Sequence, residues 1–202
     1  MASSPGTAAA REPRFDSGRI CLDLLATTHP CEHLDSLPRL LAWCAAEGLL
    51  PPGSTPPAAG PHWTAAFHEL RGCVGSLVVA ELEGRAPRPT AALARVNDLA
   101  SKAPPVPRAV PGADGRLVRT LLGEPGCDAL LSLLARDTVD LLTDPVARGR
   151  LRRCAGDNCP LIYLDTSRGH RRRWCSSESC GNRERVARHR RRAAREAAVG
   201  PV

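Results

Sequence analysis

The stretch that decides the fold covers residues 154–192 and reads CAGDNCPLIYLDTSRGHRRRWCSSESCGNRERVARHRRR. It contains four cysteines in two close pairs, with four residues inside each pair and fifteen residues between the pairs. Close pairs let two thiolates reach one tetrahedral zinc ion without straining the backbone. The spacing therefore predicts one zinc ion bound by Cys154, Cys159, Cys175 and Cys180.

The segment between the two pairs has the length of a short β-hairpin. Residues 161–164 (LIYL) and 171–174 (RRRW) are predicted as its strands, with residues 165–170 (DTSRGH) as the turn. Four thiolates close the coordination shell, whereas a catalytic zinc ion keeps one position open, so a structural zinc ion is favoured. His170 as a replacement ligand is less favoured because it lies in the predicted turn. Four buried, unligated thiols are the remaining alternative, which the polarity of the segment disfavours.

The residues after Cys180 form a basic segment that favours a helix. It lacks proline and is rich in helix formers, which predicts a helix to about Ala198. Residues 148–202 contain 15 arginines and five acidic residues, a net charge of +10, whereas residues 1–147 carry −3. This asymmetry indicates a polyanionic partner, and a merely solvated basic face is the alternative. The candidate arginines are Arg171, Arg172 and Arg173 between the cysteine pairs, and Arg185, Arg188, Arg191, Arg192 and Arg195 on the helix.

The rest of the chain is predicted to be mainly helical. Apolar residues at helical spacing indicate helices after Ser36, from Pro61, near Thr90 and from Cys127. Residues 106–120 (VPRAVPGADGRLVRT) are typical of a strand, a turn and a strand. Asp144, as a cap before a proline, marks the start of the last segment. The predicted organisation is a flexible tail at residues 1–13, a helical domain at 14–147 and a zinc finger of hairpin and helix at 148–202.

The amino-terminal segment holds three candidate ligand-binding residues. Asp23 lies in the apolar stretch ICLDLL, where a carboxylate needs a partner or water, and pairing with an arginine is favoured over ligand recognition. His29 and His33 flank Cys31 in HPCEH, and on an extended segment the three side chains would share one side. A polar loop is favoured over a metal or acid–base site there, because no second cluster completes such a site.

Composition excludes several classes of protein. The chain of 202 residues is 43% hydrophobic and 24% charged, which is ordinary for one or two globular domains. No apolar run reaches the roughly 18 residues of a membrane span, and the first residues lack a secretory signal. The sequence therefore predicts a soluble, cytoplasmic protein with no membrane partner. The odd number of cysteines, nine, argues against a closed disulfide framework.

The paired cysteines, LIYLDTSRGHRRRWCS and CGNR followed by a basic helix resemble the bacterial CGNR zinc finger. In that family the finger follows an ABATE domain, described as a stress-induced transcription regulator, and residues 20–29 (ICLDLLATTH) are similar to its opening. The resemblance implies a mainly α fold with a treble-clef-like finger, zinc on the four cysteines, and DNA binding. Whether Asn182 braces the finger or contacts DNA stays open. The family's basic positions carry over to Arg168, Arg171, Arg172, Arg173, Arg183, Arg185, Arg188 and Arg190.

Two functions are compatible with these features. The favoured one is a regulator, not an enzyme, in which arginines neutralise the phosphates of duplex DNA and the larger domain senses a small-molecule effector or forms a homodimer. RNA is disfavoured because aromatic residues, at 3%, leave little for base stacking. In the alternative, the amino-terminal domain is an enzyme or a small-molecule-binding module and the finger contacts RNA or protein.

Overall fold

The computed structural model describes residues 17–198, with side chains described as far as residue 192. The predicted flexible tail, residues 1–13, lies outside the described residues. The described part of the chain forms helices and two separate two-stranded antiparallel sheets. These elements are α1 (Ile20–Ala26), α2 (Leu37–Ala46), α3 (Pro61–Leu82), α4 (Thr90–Ser101), β1 (Pro107–Pro111), β2 (Leu117–Leu121), α5 (Cys127–Thr143), α6 (Pro145–Gly149), β3 (Leu151–Arg153), β4 (Ile162–Leu164) and α7 (Cys180–Ala198).

The predicted helices α2 to α5 and the hairpin of β1 and β2 are confirmed. Helix boundaries follow local chemistry, and at α6 the Asp144 carboxylate accepts a hydrogen bond from the Val146 backbone N–H (2.8 Å). A proline follows the cap at the first helical position, where a missing N–H costs nothing. Ser36 occupies the N-cap of α2, but its side chain accepts no capping hydrogen bond there.

Helix α1 is an element that the sequence patterns do not reveal. Its residues Cys21, Leu22, Asp23, Leu24 and Ala26 are all buried, so the apolar positions do not follow a period of 3.6. A short apolar run of this kind is indistinguishable from a buried strand by periodicity alone. Tertiary packing therefore decides that this segment is helical.

The core lies between α3, α4 and α5, which contact one another, with α1 packed on α3 and α5. Gly75 of α3 faces α1, where a Cβ would lie in ordinary van der Waals contact with the Leu25 side chain, at 3.5 Å. Helix α2 closes the other side, where Trp43 meets the Phe67 ring edge to face, with ring centroids 6.2 Å apart. Aromatic pairs favour this geometry.

The same core continues into the finger. Leu151, Ile162 and Leu164 belong to one buried apolar cluster with the residues of α1, α3 and α5. The Leu164 backbone N–H donates to the Ser17 carbonyl (2.7 Å). Gly18 has a φ of +85°, and a Cβ there would lie 3.2 Å from the Leu164 side chain, so only glycine fits without strain. The predicted boundary between residues 147 and 148 thus separates residues that share a core.

The strands of the finger differ from the prediction. Ile162–Leu164 is a strand, but it pairs with Leu151–Arg153, and residues 171–174 are not a strand. Pairing with β3 places the buried Leu151 opposite Leu164, over the core. The first cysteine pair lies in the loop between β3 and β4, so the hairpin presents its loop to the metal. Strand β3 was not predicted from the sequence because it contains a single apolar residue, Leu151, followed by two arginines. Such a segment shows no alternation of apolar and polar residues.

Glu47, at the end of α2, is expected to make stability depend on pH. Burial, with the nearby Asp23 carboxylate, raises the pKa of Glu47 from 4.5 to about 7. A carboxyl with a higher pKa in the folded state destabilises that state as the pH rises from about 4.5 to about 7. Glu47→Gln is therefore expected to raise the urea unfolding midpoint at pH 8 relative to wild type and to change it less at pH 5. An equal shift at both pH values contradicts this, and Glu124→Gln, at an exposed site, is the control.

Candidate zinc centre and basic surface

The four predicted cysteine ligands come together in the finger. Their Sγ atoms all lie within 4.8 Å of one another, with Cys159 and Cys175 3.8 Å apart and Cys175 and Cys180 3.6 Å apart. A tetrahedral zinc ion with Zn–S bonds of about 2.3 Å separates its sulfurs by about 3.8 Å. The cluster therefore has the dimensions and the donor set of one structural zinc ion.

Backbone groups of the finger support the cluster. The N–H groups of Gly156 and Cys175 lie 3.4 and 3.3 Å from the Cys154 Sγ and donate to it. A Cβ at Gly156 would lie 3.2 Å from the Cys180 Sγ, so glycine lets the backbone approach two sulfurs. Cys180 is the first residue of α7. A zinc ion bound by the cluster would therefore fix the start of the basic helix.

The thiols of the metal-free cluster differ in acidity. Burial alone would raise the pKa of Cys154, but the N–H groups of Cys175 and Gly156 bring it below the ordinary value. Burial raises the pKa of Cys159 to about 11 and also raises that of Cys175. Zinc must displace protons from such thiols in order to bind. The site is therefore expected to lose its metal in acid.

Arg172 is part of the internal structure of the finger. Its guanidinium lies over the Tyr163 ring, 4.6 Å from the centroid, and donates to the carbonyls of Trp174 and Cys175. The Tyr163 hydroxyl donates in turn to the Arg172 carbonyl (2.6 Å). Cation–π contact and these hydrogen bonds stabilise the loop that carries the second cysteine pair.

The buried carboxylate of Asp165 organises the loop after β4. It accepts hydrogen bonds from the Ser167 hydroxyl (2.6 Å), the Ser167 N–H (3.0 Å) and the Arg172 N–H (3.1 Å). The hydrogen bond from the Ser167 side chain, chief among these, holds the pKa of Asp165 below its ordinary range. The loop is therefore fixed by a charged group that stays ionised near neutral pH.

The other candidate arginines lie on the surface. Arg185 donates to the Ser177 carbonyl (3.2 Å), Arg191 pairs with Glu184 (2.7 Å), and Arg173 lies over the Trp174 ring (5.3 Å). Arg192 is exposed, and the side chain of Arg195 lies outside the described residues. Five exposed arginines have no side-chain hydrogen bond or ion pair with described residues: Arg168, Arg171, Arg183, Arg188 and Arg190.

Two arginines of the basic surface were not predicted from the sequence. Arg152 and Arg153, on β3, line a groove of about 300 Å³ together with His170, Arg171 and Arg173. The pairing of β3 with β4 brings them beside the loop that follows β4. Their position directly before Cys154 could have indicated that they belong to the finger. They were not predicted because the hairpin was assigned to residues 161–164 and 171–174.

The amino-terminal candidates do not form one site. The buried Asp23 carboxylate accepts a hydrogen bond from the Ser17 N–H (2.8 Å). His29 is half-buried, and His33 lies 3.9 Å from the Cys31 Sγ and 3.3 Å from an Arg39 nitrogen. Among the described residues, the cysteine cluster alone brings three or more potential metal ligands together.

Glu32, the fourth residue of HPCEH, holds its loop against α3. The Arg71 guanidinium binds both carboxylate oxygens (2.9 and 2.6 Å) and donates to the buried Thr27 hydroxyl (2.7 Å). This contact with Arg71 lowers the pKa of Glu32 to about 2. This bidentate, charge-assisted pair gives Glu32 a structural role that the sequence pattern did not indicate.

Comparison with known proteins agrees with this architecture. The model of the ABATE family, described as "putative stress-induced transcription regulator", matches residues 18–145. The model of the CGNR zinc finger matches residues 150–193. No curated protein gives a significant match to the chain. In the described part of the chain, no helix is both long and apolar enough to span a bilayer. Because the first model covers more than half of the sequence, the chain belongs to the ABATE family, with a CGNR zinc finger after the ABATE domain.

Proposed function

We propose that the protein regulates transcription by binding duplex DNA through the arginines of its zinc finger. The observation that carries the proposal is the surface of α7, a helix whose first residue, Cys180, belongs to the four-cysteine cluster that fits a zinc ion. Such a helix is a rigid support for cationic groups, and cations that neutralise phosphates provide a large share of the affinity for DNA. Six of its arginines are exposed: Arg183, Arg185, Arg188, Arg190, Arg191 and Arg192.

The aromatic residues of the finger favour duplex DNA over single-stranded RNA. Recognition of single strands depends on aromatic side chains that stack on bases. Tyr163 is completely buried beneath Arg172, and Trp174 is only half-exposed. The finger therefore offers charge and little stacking surface. A cytoplasmic location follows from this partner.

The ABATE domain is proposed as the regulatory part, which binds a small-molecule effector or a second copy of the chain. Its family description supports a regulatory role. Its residues carry a net negative charge, unlike those of the finger. We therefore assign DNA contact to the finger and regulation to the helical domain, with the boundary between residues 147 and 148.

Salt titrations of DNA binding test the proposed contacts of α7. For wild type, log affinity is expected to fall with log salt concentration, with a slope of about −0.9 per neutralised phosphate. Arg188→Ala and Arg192→Ala are each expected to flatten the slope by about 0.9 if the arginine contacts a phosphate. An arginine that contacts a guanine is instead expected to cost about 1–3 kcal/mol on the preferred sequence only.

The control for this titration is Arg116→Ala in the exposed turn between β1 and β2, whose side chain is 89% exposed. It removes the same charge from the other domain. Fluorescence anisotropy on several labelled duplexes gives the slopes. Binding that is weak, insensitive to salt and unchanged by the α7 substitutions contradicts DNA recognition by this helix.

A further inference from the structure

The groove beside β3, defined by Arg152, Arg153, His170, Arg171 and Arg173, has a composition suited to an anion. Its lining also includes Arg172 and Tyr163 and contains no carboxylate. The fold brings these cations together from two parts of the chain. Arg152 and Arg153 precede the first cysteine pair, whereas His170, Arg171 and Arg173 follow β4. Arginines at this density repel one another unless an anion lies among them.

The cations of the groove are only partly neutralised by the protein. Arg152 uses Nη1 alone, for the carbonyls of Gly149 and Leu151. In the described part of the chain, Arg171 has no hydrogen bond or ion pair from its side chain. The guanidinium groups therefore retain N–H donors in an arrangement that suits the oxygens of a phosphate group.

Arg153 connects the groove with the ABATE domain. Its Nη2 lies 3.1 Å from a carboxylate oxygen of Glu83, which caps the end of α3. The side chains of Arg153 and Glu83 are 48% and 44% exposed, so the ion pair is in contact with solvent and is weak. An anion with more than one oxygen in the groove can therefore displace Glu83.

We propose that the groove binds a phosphate of the DNA backbone and that Arg153 exchanges Glu83 for this phosphate when the finger binds DNA. This inference rests on the proposed function and adds a regulatory contact to it. The end of α3 competes with DNA for one arginine. Any change that withdraws α3 from β3 therefore raises the affinity of the finger.

The test measures binding of the full-length, zinc-loaded chain to a labelled duplex as a function of salt. Arg153→Ala is expected to flatten the log–log slope by about 0.9, so wild type loses about three- to fourfold more affinity than the variant between 50 and 200 mM salt. Glu83→Gln is expected to raise affinity about two- to fivefold, the range of an exposed ion pair. In the double variant, Glu83→Gln is expected to have no effect.

Matched variants separate this exchange from a general effect of charge. Glu124→Gln changes the charge as Glu83→Gln does, at an exposed site in the loop between β2 and α5, and is expected to leave affinity unchanged. Because Arg153 adjoins the ligand Cys154, zinc content is measured for every variant, and Arg153→Lys is expected to keep the wild-type slope. A persistent effect of Glu83→Gln without Arg153 overturns the exchange, because the effect then arises elsewhere, as at Arg85, its other partner.

Two further outcomes also decide the proposal. If wild type binds no DNA, the proposed function itself fails, whereas a wild-type slope in Arg153→Ala overturns the groove alone. Inorganic phosphate at constant ionic strength distinguishes a free anion from a backbone phosphate. Saturable stabilisation by phosphate that Arg153→Ala abolishes, without any effect of this variant on DNA binding, overturns the DNA assignment and identifies a site for small anions.

Discussion

Cys180→Ser is expected to reduce the zinc content from one ion per chain to nearly none and to unfold the finger. The thiolate contributes one quarter of a closed coordination shell, and zinc binding by such sites is worth about 10–16 kcal/mol at neutral pH. Because Cys180 is the first residue of α7, loss of the metal also releases the start of this helix. Metal analysis and amide hydrogen exchange of the finger check the result.

Cys31→Ser is the control for this substitution, because Cys31 is exposed and lies outside the cluster. It is expected to keep one zinc ion and the protection of the finger. In wild type, a chelator should reproduce the effect of Cys180→Ser because it removes the metal. Acid should do the same, because protons compete with zinc for thiols such as Cys159, whose pKa is raised to about 11. A Cys180→Ser protein with one zinc ion and an unchanged finger contradicts the assignment.

Leu164→Ala is expected to destabilise the ABATE domain as well as the finger. Leu164 is 8% exposed and belongs to the apolar cluster that includes residues of α1, α3 and α5. Truncation of a buried leucine costs about 2–5 kcal/mol, because apolar contacts are lost and a cavity remains. Since the core is shared, amide protection in α3 and retention of zinc are both expected to fall in urea.

The matched control is Leu117→Ala in β2, where the leucine is 74% exposed. Its expected cost is below about 0.5 kcal/mol, as for most surface substitutions. Hydrogen exchange followed by mass spectrometry measures α3 and the finger in the same sample. If Leu164→Ala lowers protection in the finger and leaves α3 unchanged, the two parts unfold independently and the shared core has no energetic effect.

The zinc centre could be predicted from the sequence because its determinants are local. Each cysteine pair spans only four intervening residues, so the chain needs no distant contact to present two thiolates to one metal. The helix α7 was equally predictable, since it combines helix formers with a start at Cys180 and contains no proline. Helices α3 and α5 were predicted because each buries one face and keeps the 3.6-residue period.

The partner of β4 could not be predicted in the same way. Residues 171–174 follow β4 after a short turn, so local spacing favoured them over Leu151–Arg153, which precede the first cysteine pair. Side chains decided otherwise, because Tyr163 and Asp165 bind the backbone of Arg172 and hold it out of a ladder. Of the three consecutive arginines at 171–173, Arg172 thus stabilises the finger while its two neighbours lie on the surface. Only the fold distinguishes these roles.

The sequence by itself determined the metal, its four ligands and the basic character of the finger, since these depend on residue types at short spacing. Only the tertiary structure decided that Arg172 stabilises the finger, that Arg153 meets Glu83, and that Leu164 completes the core of the other domain. The contacts of Arg153 and Leu164 join residues far apart in the chain, and those of Arg172 depend on how the finger folds around Tyr163. The free energy of such contacts depends on what the whole fold brings within a few ångströms, which residue spacing does not encode.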